Sequence, residues 1–190
     1  LAPTAGTCMV MGTASTIACA VEALGMCLPL SATIPATHAD RIRSAEASGR
    51  AAVTLAENGP RPSEILTAAA FRNALIVTQS IGGSTNALIH LTAIAGRLGI
   101  RIDLGEFDEL GRKVPVLIDL KPSGQHYMEH FHWAGGVPRL LRELEGLLDT
   151  SARTVTGSLR DTLQTATDTH AQTVIRPRSD PINASGSMAV

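Results

Sequence analysis

Val114-Pro115-Val116-Leu117-Ile118-Asp119-Leu120 is an apolar run interrupted by one proline and one acid. Its length and β-branched content suit a strand buried on both faces, as in parallel sheets. Pro115 fits the first residues of such a strand, where a missing N–H breaks no central ladder. On both sides the chain reads as amphipathic helices. A buried strand among helices predicts an α/β fold: a layered α/β/α domain with a mainly parallel sheet.

Lys121-Pro122-Ser123-Gly124 follows the run at once. Ligands of open α/β sheets collect at the carboxyl ends of strands. Lys121 and Ser123 could hold a carboxylate there; a solvated lysine in a tight turn is the other reading. Residues 125–133 then carry three histidines, His126, His130 and His132. His126-Tyr127-Met128-Glu129-His130 matches H-x-x-E-H, the inverted zinc-protease pattern. On a helix the two histidines would share a face and bind Zn²⁺, with Glu129 as base. The pattern follows a Pro-Ser-Gly turn, however, and Gly135-Gly136 cuts it short. The downstream acids Glu143, Glu145, Asp149, Asp161, Asp168 and Asp180 form no ligand pattern. A short polar helix over the strand end is the plainer reading.

Beyond Gly136 a helix turns Val137, Leu140, Leu141, Leu144 and Leu147 inward, with Pro138 in its first turn. Thr154–Gly157 and a short helix at Ser158–Ala166 follow. From Thr173 the texture changes to short strands and turns. A boundary near Gln172 divides residues 1–172 from the start of a C-terminal all-β domain at 173–190.

Upstream of the run, Asp103–Leu110 is a short amphipathic helix. Ile81-Gly82-Gly83-Ser84-Thr85-Asn86-Ala87 is a turn whose glycines allow close backbone approach. Ser84 and Thr85 open a helix with Leu88, Leu91, Ile94 and Leu98 on its apolar face. Unpaired N–H groups and hydroxyls at such a start suit an anion or a hydroxyl; an ordinary N-cap is the plainer reading. No P-loop lysine is present. A helix from Ser63 or Thr67 runs through Phe71, Ala74 and Val77. Another starts at Thr37-His38-Ala39-Asp40, reaches about Ala56 and stops at Asn58-Gly59-Pro60. His38 reads as a surface residue.

The first helix begins at Thr13, with Thr13 or Ser15 as cap and Ile17, Ala18, Val21 and Leu24 at helical spacing. Gly25 and Pro29 close it. Cys19 and Cys27 keep apolar company and read as core thiols. Cys8 differs. It lies among small residues just ahead of a helix N-terminus, a setting that suits a thiolate as nucleophile or metal ligand. A small buried thiol in a turn is the alternative.

The chain has 190 residues, 44% hydrophobic, 17% charged and only 3% aromatic, with net charge −1. That is enough for one domain with an aliphatic core. Nucleic-acid binding finds no basic run and no aromatic stacking platform. No apolar run reaches membrane-spanning length. Three cysteines do not make a disulfide framework, so a reducing cytoplasm is expected. Leu1 in place of Met, and a last stretch that stops inside a new element, suggest a piece of a longer polypeptide.

Taken together, these stretches resemble the dihydroxy-acid dehydratase and phosphogluconate dehydratase family. Gly6-Thr7-Cys8 with Met11–Thr16, then Glu22-Ala23-Leu24-Gly25 and Leu28-Pro29, is similar to that family's third-cysteine segment. Gly82–Ala87 resembles its Gly-Gly-Ser-Thr-Asn turn. Asp119–Gly124 and Ala134–Gly136 resemble later blocks, and Ile175-Arg176, Pro181-Ile182 and Ser185-Gly186 the start of its C-terminal barrel.

The resemblance implies a hydro-lyase that converts a 2,3-dihydroxy carboxylic acid to a 2-keto acid. It implies an iron–sulfur cluster (2Fe-2S or 4Fe-4S) on three cysteines, and Mg²⁺ on the substrate. Only Cys8 carries over as a cluster ligand. The other two cysteines, the Mg²⁺ ligands and the serine base belong to parts of the family pattern outside this sequence, so no catalytic residue is assigned and the chain alone should not turn over. Thr13, Ser84, Thr85, Lys121 and Ser123 are the candidate substrate-binding residues. Gly12-Thr13-Ala14-Ser15-Thr16 is closer to the sugar-acid branch than to the branched-chain biosynthetic one. An aldonate is therefore the expected substrate, with 2,3-dihydroxy-isovalerate as the alternative and a homo-oligomer as the expected full-length assembly. A non-catalytic α/β module that binds a small anion through the Gly83–Asn86 and Lys121–Gly124 turns is a competing reading.

Overall fold

The computed structural model describes residues 5–6, 8–167 and 171–189, and among these the helical spacings become nine α-helices. They are α1 Thr13–Ala23, α2 Ala39–Asn58, α3 Pro62–Ile65, α4 Ala68–Ser80, α5 Asn86–Arg97, α6 Leu104–Gly111, α7 Met128–Trp133, α8 Gly136–Leu144 and α9 Leu159–Gln164. A 3₁₀ turn, Glu145–Leu147, extends α8. Two short strands, β1 Arg153–Thr154 and β2 Gly157–Ser158, form an antiparallel hairpin.

The core is organised on α4. Every residue from Asn73 to Ser80 is buried, together with Ala70 and Phe71. A helix buried on all sides must be enclosed by other elements, with its polar groups paired. Here α1 packs along it, and α5 and α6 also lie against it. Phe71, Phe107 and Phe131 are fully buried in a core otherwise made of Leu, Ile, Val and Ala. Each such ring or branched chain contributes about 1.5–3 kcal/mol on burial. The polar residues of α4 are tied to distant backbone. Asn73 donates to Asp149 O and accepts from Asp149 N, both at 2.9 Å. Gln79 donates to Met188 O at 3.1 Å and accepts from Met188 N at 2.9 Å. By contrast, α2 contains no buried residue.

The expected parallel sheet is not present among the described residues. Val114–Leu120 is extended and mostly buried, but its backbone partners are irregular segments. Leu117 N donates to Ser80 O at the end of α4 (2.9 Å), and Val116 and Ile118 form isolated antiparallel bridges with Asn183 and Ile175. One parallel bridge, Leu120 to His126, closes the turn beyond the run. The physical reason for the difference is simple. An apolar run reports burial, and helices with short crossing segments can bury it as well as a sheet can. Residues 173–189 form isolated bridges to the 114–120 run, and Val174 and Ile175 join the same core as α4. No helix among the described residues is long and apolar enough to cross a membrane.

Candidate active-site mouth at the start of α1

The segment ahead of α1 is clamped between two other parts of the chain. Met11 N donates to Lys121 O (2.8 Å), and Met128 N donates to Met9 O (2.9 Å). This fixes Cys8 at the surface while Met11 enters the core. The Cys8 thiol donates to Val10 O at 3.6 Å and folds back over Gly12, where a Cβ would stand 3.8 Å from its sulfur. Thr7, its neighbour in the motif, lies outside the described residues.

The N-cap of α1 is Gly12, with no side-chain cap. The expectation that Thr13 or Ser15 caps the helix is not met. Ser15 Oγ donates to Val10 O at 2.9 Å, behind the cysteine. Thr13 Oγ1 lies 3.1 Å from Ser84 Oγ and accepts from Asn86 Nδ2 at 3.0 Å. Thr16 completes the join: its hydroxyl donates to Gly12 O (2.8 Å) and accepts from Ser84 N (3.0 Å). Gly83 makes this approach possible, because a Cβ there would meet Thr16 Cγ2 and Thr78 O, each at 2.8 Å. The Gly82–Ala87 turn is thereby fastened to the start of α1. Thr85 is the exposed N-cap of α5 and has no side-chain capping bond.

Lys121 stands in the turn that holds Met11. Its Nζ donates to Tyr127 Oη at 2.9 Å and sits 4.4 Å from that ring's centroid, a cation–π contact. Ser123 is exposed beyond a cis Lys121–Pro122 bond. Gly124 is required at its place, since a Cβ would collide with the Asp119 carboxylate and the Leu120 amide. Asp119 in turn accepts from Gln125 N at 2.9 Å. The structure thus joins Thr13 and Ser84 directly, and ties Lys121 to the Cys8 segment through backbone. Thr85 and Ser123 are not bonded to that group among the described residues. Thr16, Asn86 and Tyr127 were not singled out from the sequence, although all three lie inside quoted motifs.

The inverted zinc-protease geometry is not formed. Helix α7 begins at Met128, so His126 lies before it rather than on its face. The two rings meet edge to face at 5.6 Å between centroids. His126 faces Asp119 (3.7 Å) and Thr173 Oγ1 (3.3 Å), while His130 Nδ1 accepts from Tyr127 N (3.2 Å). Glu129 contacts His130 at 3.8 Å.

At the other end of α1 the chemistry is reversed. Glu22 is buried, and its carboxylate accepts from Leu30 N (2.7 Å) and Ala32 N (3.0 Å). Burial raises its pKa to about 7, although the two amides work in the opposite direction. Cys19 is wholly enclosed, and burial drives its pKa far upward, with the nearby Glu22 adding to the effect. Cys27 is pushed up to about 11 by burial and by Glu22. Neither thiol is suited to be a ligand in this state. Cys19 also lies six residues beyond Thr13, roughly 9 Å along the helix. An iron–sulfur cluster needs several thiolates. Among the described residues Cys8 alone offers an exposed sulfur, which fits one ligand of such a cluster.

Comparison with known proteins gives the family. The chain is 42% identical over 190 residues to a dihydroxy-acid dehydratase of Moorella thermoacetica, covering 99% of this chain and 34% of that protein. It is 44% identical over 192 residues to a mitochondrial dihydroxy-acid dehydratase of Aspergillus fumigatus, covering 99% of this chain and 32% of the relative. A chloroplastic dihydroxy-acid dehydratase of Arabidopsis thaliana is 41% identical over 192 residues, with the same coverage of 99% and 32%. The chain therefore spans about a third of the length of the curated relatives it matches. Residues 1–164 match the family described as dihydroxy-acid/6-phosphogluconate dehydratase, N-terminal, and the chain belongs to that family.

Proposed function

We propose that the complete protein is a hydro-lyase that removes water from a 2,3-dihydroxy carboxylic acid to give a 2-keto acid. The observation that carries this reading is the exposed Cys8 thiol packed over Gly12, next to the joined Thr13, Ser84 and Asn86 side chains. Cys8 supplies one thiolate to an iron–sulfur cluster. The remaining sulfur ligands and the Mg²⁺ ligands come from outside this chain: the Cys19 thiol is enclosed within α1, and the half-buried Cys27, in the loop beyond it, has its thiolate disfavoured by burial and by Glu22. When bound, these groups supply Lewis-acid polarisation of the leaving 3-hydroxyl and of the substrate carboxylate.

This chain's own residues bind and orient. Thr13 Oγ1, Ser84 Oγ and Asn86 Nδ2 offer a line of donors and acceptors to substrate hydroxyls. The Lys121 ammonium, steadied on the Tyr127 ring, offsets the carboxylate charge, with Thr85 and Ser123 at the rim. Loss of the C2 proton and the C3 hydroxide gives an enol, which returns a proton to C3 as the 2-keto acid forms.

An aldonate sugar acid is the favoured substrate, because the hydroxyl and amide cluster suits a polyhydroxylated chain. The second reading, 2,3-dihydroxy-isovalerate in branched-chain amino acid biosynthesis, is favoured by the names of the relatives above. The complete protein works as a homo-oligomer in the cytoplasm, with a C-terminal β domain after about residue 172. The test is 2-keto acid formation by anaerobically purified complete protein on pentonates, hexonates and 2,3-dihydroxy-isovalerate. A kcat/KM at least tenfold higher on one aldonate is expected. Preference for the branched acid would select the second reading. Turnover of none would leave the anion-binding module in its place.

A further inference from the structure

We propose that His38, Asp40 and His132 form a second metal site, separate from the Cys8 mouth, that takes a divalent ion of the zinc class and clamps the start of α2 to α7. One ligand atom from each residue lies within 4.8 Å of the others. His38 Nδ1 and Asp40 Oδ2 are 3.2 Å apart. Two ligands with bonds of about 2.1 Å around a tetrahedral ion stand roughly 3.4 Å from each other, close to this separation. His38 Nδ1 also accepts from Asp40 N at 3.3 Å as the N-cap of α2, a long bond that the ion would replace.

The surroundings are built for ligation. His132 Nδ1 is 3.0 Å from the hydroxyl of buried Thr33, which fixes the ring and leaves Nε2 as its remaining donor. Metal-binding imidazoles are held through their second nitrogen in this way. Thr33 is itself placed, since Glu22 holds its loop through the Leu30 and Ala32 amides. Gly136 leaves room for it, because a Cβ there would stand 2.8 Å from Thr33 Oγ1. Arg43 occupies the other oxygen of Asp40, Oδ1, at 2.5 Å. Trp133 packs edge-on against both rings, each at 5.0 Å between centroids.

Two imidazoles and one carboxylate suit Zn²⁺, Co²⁺ or Ni²⁺ rather than Mg²⁺ or Ca²⁺, and they leave a fourth position for water. The clamp has a structural use. Helix α2 buries no residue, whereas α7 is rooted in the core by Phe131 and Met128. A bond through the ion would anchor the first turn of α2.

Zn²⁺ is the probe. Complete protein is incubated with it, passed through a desalting column and examined at the zinc absorption edge, where the iron of a cluster does not interfere. One retained zinc with only nitrogen and oxygen neighbours, imidazole among them, is expected. Competition against a chelating dye then compares variants. His38→Gln, Asp40→Asn and His132→Gln should each weaken zinc binding at least tenfold, and Thr33→Val about tenfold. His126→Gln and Cys8→Ser should leave it unchanged. No retained zinc, sulfur in the coordination shell, or equal affinity in wild type and His132→Gln would overturn the proposal. The wild-type spectrum decides even if a variant fails to fold.

Discussion

The two ends of α1 are chemical opposites. At its start, Cys8 is exposed and the neighbouring hydroxyls of Thr13 and Ser84 face one another at a surface mouth. Towards its end, Cys19 and Glu22 are enclosed, and the Glu22 carboxylate accepts from the loop that follows. One 11-residue helix therefore carries both the proposed binding edge and a structural lock. Burial separates the two roles. The same thiol chemistry is available for ligation at Cys8 and suppressed at Cys19, where burial and the nearby Glu22 disfavour the thiolate.

The largest test of this contrast concerns stability. Glu22→Ala leaves the amides of Leu30 and Ala32 without an acceptor, and each unpaired buried donor costs about 1–3 kcal/mol. Urea unfolding of this variant should show a loss of about 3 kcal/mol. A loss within 0.5 kcal/mol, roughly that of an ordinary surface change, would break the distinction between lock and mouth.

A pH series sharpens the same point. The folded protein holds the Glu22 proton more tightly than the unfolded chain does, with a pKa near 7 against the ordinary 4.5. Its contribution is fully present below the unfolded value and is lost as pH rises through the folded one. The shift is worth about 3 kcal/mol. Subtracting the unfolding free energy of Glu22→Gln from that of wild type should therefore give a difference that falls between pH 4.5 and 7. A flat difference would show that Glu22 has no raised pKa.

Smaller effects belong to the mouth. Thr16→Val removes the acceptor of Ser84 N and the donor to Gly12 O, and should cost about 1–2 kcal/mol. Thr13→Ala removes the hydroxyl that Ser84 and Asn86 share, with a stability change of about 0.5 kcal/mol. Its kcat/KM in the complete protein should still fall at least tenfold. Comparing unfolding curves with initial rates for the two variants separates support from substrate contact. Equal activity in wild type and Thr13→Ala would remove Thr13 from the binding edge.

Much of the helical layout is written locally. Asp103 caps α6 through the amides of Gly105 and Glu106, and Gly59 ends α2 as the Asn58-Gly59-Pro60 stop predicts. The inward leucines of α8 follow from spacing alone. What the sequence conceals is pairing at a distance. His38, read as a surface residue, is the half-buried N-cap of α2 and packs against His132 and Trp133. No local pattern joins those positions. Val114–Leu120 announced its burial, but not that its ladder would be completed by Ser80, Val174 and Asn183. The candidate mouth was more legible, because Cys8, Thr13 and Ser84 lie in two short motifs that Thr16 and Gly83 bring together.

The measurement that bears most directly on the role of Cys8 is iron content, with the visible absorption spectrum, of complete protein carrying Cys8→Ser beside Cys19→Ala. The account predicts that Cys8→Ser loses the iron chromophore and the dehydratase activity while Cys19→Ala retains both. An unchanged chromophore in Cys8→Ser, or its loss in Cys19→Ala with the fold intact, would contradict it.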